Sequence, residues 1–223
     1  MPLPAIVALR WRAPRTTAFI RARQAAFRTA GKSDAIDRRP VPLGAIAPDL
    51  VTAVVAAEDA RFFRHRGIDW QAVREAAEWN RKIAVRKGRW RRGGSTITQQ
   101  LAKNLWLSSD RSLFRKGREA AIALALDALV PKEKILEHYL SAIEWGERVF
   151  GIEAAARSTF GAPAARLSKS QAAWLAAMIP GPAYYLAHPA AHRRRAALIE
   201  ERAFGHPSLP ESSEEEEAGP PRG

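Results

Sequence analysis

Along most of the chain apolar residues recur at three- and four-residue intervals, while alternation with period two is scarce. That pattern predicts an all-α fold. Leu50, Val54, Glu58 and Phe62 fall four apart, so a helix over Leu50–Phe63 would stack them on one face, with Asp49 as its N-cap. A second helix is predicted from Asp69 to about Ala84, and a third over Ser95–Leu107, where Thr96 and Gln99 have capping-box spacing. A long helix covers Asp110–Val130 and ends at Pro131, which can also open the next one. That next helix sets Ile135, Leu136, Tyr139, Leu140 and Ile143 on one face and closes at Gly146. Shorter helices fit Thr17–Ala30, Glu153–Thr159, Ser168–Ile179 and Ala191–Phe204.

The same pattern divides the chain. Residues 1–39 read as an N-terminal arm whose apolar run "LPAIVAL" is followed at once by "RWRAPR". The run is too short to span a bilayer, and it has the look of the last turns of a membrane anchor. No stretch of 18 uncharged apolar residues occurs, so the given sequence contains no complete transmembrane helix. Residues 40–204 form the folded domain. Residues 205–223, rich in Pro, Ser and Glu, are expected to be disordered. Within the domain, "RKIAVRKGRWRRGG" (Arg81 to Gly94) reads as a mobile, positively charged connection.

Charge sharpens this picture. The formal net charge is +13, although Glu211 and Glu214 to Glu217 all lie in the tail. A surface this basic favours nucleic acid, anionic lipid or a phosphorylated substrate. The absence of cysteine fits a cytoplasmic or an exported domain equally well.

Two carboxylates stand out. Glu58 occupies an otherwise apolar face, and an unpaired buried carboxylate is costly unless it is neutralised, hydrogen-bonded or held in a cleft for proton transfer. Glu119 shares a helix face with Arg115 and Arg111, which reads equally as an ordinary i,i+4 ion-pair ladder. The stretch "GGSTITQQ" combines two glycines, which let backbone approach a ligand, with a helix N-terminus suited to an anion. Thr96, Gln100 and Lys103 then follow along one face, and Lys103 with Arg111 is suited to hold a phosphate or pyrophosphate. The pattern lacks GxxxxGK[ST], which disfavours nucleotide hydrolysis. His65 has no Cys, His or Glu at metal-ligand spacing and reads as loop-ordering.

Together these residues resemble the biosynthetic peptidoglycan glycosyltransferases, glycosyltransferase family 51. "EDARFFRHRGID" is similar to that family's E-D-x-x-F-x-x-H-x-G element, and "RRGGSTITQQLAKNLWL" to its second element nearly residue for residue. "RSLFRKGREAAIALALDALVPKEKILEHYL" resembles the third and fourth elements, R-K-x-x-E and K-x-x-I-L-E-x-Y-L. No lysine has a serine three positions before it, so the S-x-x-K signature of an appended transpeptidase is absent, as in the monofunctional members.

The resemblance implies a lysozyme-like helical head beside a small membrane-proximal jaw, at the inner membrane with the catalytic domain on the periplasmic side. It implies polymerisation of lipid II, a disaccharide-pentapeptide on undecaprenyl pyrophosphate, with inversion at the donor anomeric carbon. Glu58 would be the general base and Glu119 the second essential carboxylate. Lys103, Arg111, Arg115 and Lys116 would hold the pyrophosphate. Ser95, Thr96, Gln100 and Asn104 would line the sugar path, and Asp59, Phe62 and His65 belong to the first motif's substrate-binding set. A divalent cation such as Mg2+ beside the pyrophosphate is chemically compatible, although no metal-binding motif is visible. The implied partners are lipid II, the growing glycan strand, membrane lipids, and cell-wall synthesis or division proteins, but no nucleic acid. Ser141, Gln171 and Gly181 depart from the family's usual Asn, Glu and Asn. A muramidase or lytic transglycosylase is the rival reading, since it shares the architecture and a lone catalytic Glu. A nucleic-acid-binding protein, suggested by charge and by Trp90 in a basic run, leaves Glu58 and "GGSTITQQ" unexplained.

Overall fold

In the computed structural model, which describes residues 2–87, 93–107 and 112–205, two helix groups share one hydrophobic core. At the centre of the first is α5 (Ile97–Trp106), which buries Ile97, Leu101, Ala102 and Leu105. It packs against α6 (Leu113–Leu129) and α7 (Lys132–Ala142), and α2 (Ala18–Thr29) crosses it. In the second group α3 (Pro48–Glu58) lies on α9 (Lys169–Met178), and α11 (Pro189–Phe204) covers both. Leu50 and Val54 of α3, Tyr139 of α7 and Leu175 of α9 are all fully buried in this core. The all-α expectation therefore holds, and α4 (Trp70–Lys87), α8 (Ile152–Phe160) and the short helices α1 (Leu3–Ala8) and α10 (Pro182–Ala187) complete the helical set among the described residues.

Several boundaries differ from the sequence pattern, each for a local reason. α3 starts at Pro48, which takes the first helical position, with Ala47 as N-cap. Asp49 is thus not the cap but a first-turn acid, favoured there by the helix dipole. The helix stops at Glu58 because Asp59 turns out of helical conformation (φ −162°) to bond elsewhere. α4 is capped by Asp69, which accepts from Ala72 N at 2.9 Å, and it continues to Lys87. The first half of the basic connection is consequently helical; residues 88–92 lie outside the described residues, as do 108–111 and the acidic tail from 206. α6 is capped by Ser112, whose hydroxyl accepts from Arg115 N.

Three strands break the helical pattern. α7 ends at Ala142, and Gly146 closes not a helix but β2 (Glu144–Gly146). This strand pairs antiparallel with β3 (Val149–Phe150), which pairs parallel with β1 (Asp37–Arg38). Strands of two or three residues are too short to show alternation, which is why the sequence pattern missed them. The run "LPAIVAL" also carries more than the pattern suggested. Ile6 and Leu9 are buried in the main core, and the ring N–H of His138 donates to the Leu9 carbonyl at 2.7 Å.

Candidate active site

The N-terminus of α5 is fixed first, by a buried polar brace. Thr96 and Gln99 form the capping box read from the sequence, with bonds of 3.1 and 3.0 Å. The Thr96 hydroxyl also donates to the Gly67 carbonyl at 2.6 Å. Asp59 accepts from Ile97 N at 3.0 Å and from His65 Nε2 at 2.9 Å, so one carboxylate joins the end of α3, the following loop and the start of α5. Gly67 makes this geometry possible. It sits at φ +76°, and a Cβ there would lie 2.7 Å from the Ala123 carbonyl of α6. Gly94 serves a similar purpose, since a Cβ would approach Val73 of α4 at 3.0 Å. Its close approach is to a helix backbone, rather than to a ligand as the sequence suggested.

Beside the brace opens a cavity of about 550 Å³. Its wall includes Glu58 from the end of α3, Ser95, Gln100, Lys103 and Asn104 from the α5 region, and Arg115, Lys116 and Glu119 from α6. Glu119 is 4% exposed at its side chain and has both oxygens on cations, bonding Arg115 Nη1 at 2.7 Å and Lys116 Nζ. Lys116 also donates to Ser95 Oγ at 2.9 Å. The Arg115–Glu119 pair of the expected ladder is therefore largely buried and lines the cavity, rather than solvated. Ammonium and guanidinium groups held in this way provide a positive wall suited to phosphate oxygens.

Glu58 answers the question posed by its apolar face. Its side chain is only 2% exposed and each oxygen has a donor: Gln100 Nε2 at 2.9 Å and Arg195 Nη2 at 3.2 Å. Behind it, the Tyr139 hydroxyl donates to Gln100 Oε1 at 2.9 Å. A carboxylate so held is oriented and paired, yet borders open volume on one side.

Eight of the thirteen residues singled out from the sequence line this cavity: Glu58, Ser95, Gln100, Lys103, Asn104, Arg115, Lys116 and Glu119. Asp59, Phe62, His65 and Thr96 lie beneath the wall as part of the brace or the core, with Phe62 fully buried. Arg111 lies outside the described residues. The departures from the motif are accommodated locally. The Ser141 carbonyl accepts from Arg38 Nε at 2.9 Å, Gln171 completes a capping box with Ser168, and Gly181 lines the cavity ahead of α10.

Sequence reasoning missed Arg195, Arg23, Phe19 and Glu144, all at the site. Arg23 pairs with Glu144 at 2.6 Å on the cavity wall, where burial pushes the Glu144 carboxyl up against the opposing pull of Arg23. Arg195 hides in three consecutive arginines. The one available signal was its place beside Ala196 and Ile199, which put it at the margin of a buried face. Among the described residues no group of three acidic, His or Cys side chains could hold a metal ion. With both Glu119 oxygens engaged by cations, the described residues do not form an oxygen cage for Mg2+.

Comparison with known proteins identifies the family. The profile of the Transglycosylase family matches residues 24–203. A biosynthetic peptidoglycan transglycosylase of Neisseria meningitidis serogroup C (strain 053442) is 46% identical over 208 residues, covering 93% of this chain and 88% of its own length. One from Laribacter hongkongensis (strain HLHK9) is 49% identical over 183 residues, 82% of this chain and 78% of its own. A Neisseria gonorrhoeae protein of the same name is 45% identical over 208 residues, with 93% and 88% covered. The chain belongs to the transglycosylase family.

Proposed function

We propose that this chain is a peptidoglycan glycosyltransferase of cell-wall synthesis that polymerises lipid II, with Glu58 as its general base. The observation that carries the reading is that a buried, oriented carboxylate and a set of cationic groups face one cavity. Glu58 accepts the proton of the acceptor sugar's 4-hydroxyl. That oxygen forms a bond to the donor's anomeric carbon from the face opposite the leaving group, and the bond from that carbon to the pyrophosphate oxygen breaks, so the configuration inverts. Undecaprenyl pyrophosphate leaves with the bonding electrons, and Lys103, Arg115 and Lys116 stabilise its growing charge. Glu119 holds Arg115 and Lys116 in place for that task.

A glycan hydrolase would place its catalytic acid beside a neutral chain and would have no use for cations gathered around Ser95 and Glu119. The substrate's lipid requires a membrane surface. Among the described residues no helix is long and apolar enough to cross one. Exposed Trp11, Leu113 and Phe114, each close in sequence to arginine, suit a protein lying against anionic lipid at the cell envelope. The test is incubation of the purified chain with fluorescent lipid II in detergent, with products resolved on a gel. Polymer that the phosphoglycolipid moenomycin suppresses is the expected result. Intact lipid II together with cleavage of preformed peptidoglycan would replace the synthase reading with the hydrolase one.

A further inference from the structure

We propose that Arg195 is a positioning residue for Glu58, and that Tyr139 acts in the same sense through Gln100. This inference rests on the reading of Glu58 as the base. Glu58 is the last residue of α3, so no following helical turn confines its side chain. Its rotamer is set instead by two donors arriving from different elements, Gln100 of α5 on one oxygen and Arg195 of α11 on the other. An ionised carboxylate offers about four acceptor positions. The two contacts leave room for a substrate hydroxyl while fixing the plane in which it must be met.

Both donors are themselves held. Three residues before Arg195, His192 is buried, bonds the Trp174 carbonyl of α9 at 2.9 Å, and packs its ring 4.0 Å from that of Trp174. Residues three apart share a helix face, so this contact fixes the face of α11 from which Arg195 reaches Glu58. Arg195 Nε is buried and has no hydrogen-bond partner among the described residues. Burying an unpaired N–H is unfavourable, and an apolar side chain would avoid that cost. The guanidinium is there for what its far end holds. On the other side the Tyr139 ring is fully buried, and its hydroxyl engages Gln100 Oε1. That contact turns the amide so that its NH2 group, not its oxygen, meets the carboxylate. Without the hydroxyl a flipped amide would set oxygen against oxygen.

Neither Arg195 nor Tyr139 is among the residues around Ser95, Lys116 and Glu119 that are suited to the pyrophosphate. Their loss should therefore slow turnover without weakening substrate binding. The experiment measures kcat and KM for lipid II polymerisation by the full chain and by Arg195→Ala, Arg195→Lys, Tyr139→Phe and Glu58→Gln, with urea midpoints for all. Misplacing a reacting group by about 1 Å costs on the order of 100-fold. Arg195→Ala is expected to lose roughly 10- to 100-fold in kcat on that basis, with KM little changed and most of the loss recovered by Arg195→Lys or by millimolar guanidinium. Tyr139→Phe is expected to show a smaller kcat loss of the same kind. Wild-type kcat in both Arg195→Ala and Tyr139→Phe would overturn the proposal. So would a rate that falls only in step with the urea midpoint and is not restored by lysine or guanidinium. Full activity of Glu58→Gln would overturn the assignment of the base itself, whatever the Arg195 variants do.

Discussion

Replacing Asp59 with alanine separates two roles that its motif leaves entangled. In the structure its carboxylate accepts from the buried Ile97 N–H at 3.0 Å and from His65 Nε2 at 2.9 Å, and the residue does not line the cavity. Alanine would strand the Ile97 N–H at the first turn of α5, at about 1–3 kcal/mol for a buried donor. His65, only 8% exposed at its side chain, would lose its partner at a similar cost. Together these give about 2–6 kcal/mol, a large part of the 5–15 kcal/mol typical of a domain. Urea unfolding followed by circular dichroism should show the midpoint falling with little change in slope. Asparagine keeps an acceptor for Ile97 N, so it should lose only about 1–2 kcal/mol. An alanine variant as stable as the wild type but unable to bind lipid II would refute the reasoning and place Asp59 among the groups that touch substrate.

Other perturbations follow from the same contacts. Gly67→Ala must relieve both its positive φ and the 2.7 Å approach to Ala123 O. The strain of such a φ is about 1–3 kcal/mol before any backbone shift, and a calorimetric midpoint lower by about 6–12 °C is expected for a loss near 3 kcal/mol. Glu119→Gln leaves Arg115, 14% exposed, without its carboxylate. Allowing for the 44% exposure of Lys116, stability should fall by about 2–3 kcal/mol in urea titration. Burial lowers the proton affinity of His138 and of His192 below that of an ordinary imidazole. For a depressed value, stability is present above the unfolded value, near 6.5, and is lost as pH falls through the folded one. The melting temperature should therefore drop between pH 7 and 5, and drop less in a His138→Gln/His192→Gln double variant.

The helices were legible because their apolar spacing and caps are local properties. Thr96 and Gln99 announce the start of α5 within four residues, and the structure keeps both bonds. The three short strands were not legible, because pairing between Asp37 and Val149 is set by packing and not by composition. The site divides the same way. Glu58 betrayed itself by standing on an apolar face, and Arg115 and Glu119 by their spacing on one helix; Lys116 entered only through the resemblance. Arg195 did not, since its contact with Glu58 spans 137 positions and three adjacent arginines look alike in sequence. Asp59 and His65 matched the motif, yet a motif records which residues recur together and not which of them face a ligand. Their mutual bond and the Ile97 N–H supply that information.

The central claim is that Glu58 removes a proton during polymerisation and does not merely bind. Single-turnover polymerisation of fluorescent lipid II by Glu58→Gln, measured beside its equilibrium binding of the same substrate, tests it most directly. The rate is expected to fall by about 1,000-fold or more, at the level of an essential proton acceptor, while the Kd stays within a few-fold of the wild type. A glutamine variant that polymerises at close to the wild-type rate, or one whose lost activity is matched by lost binding, would contradict it.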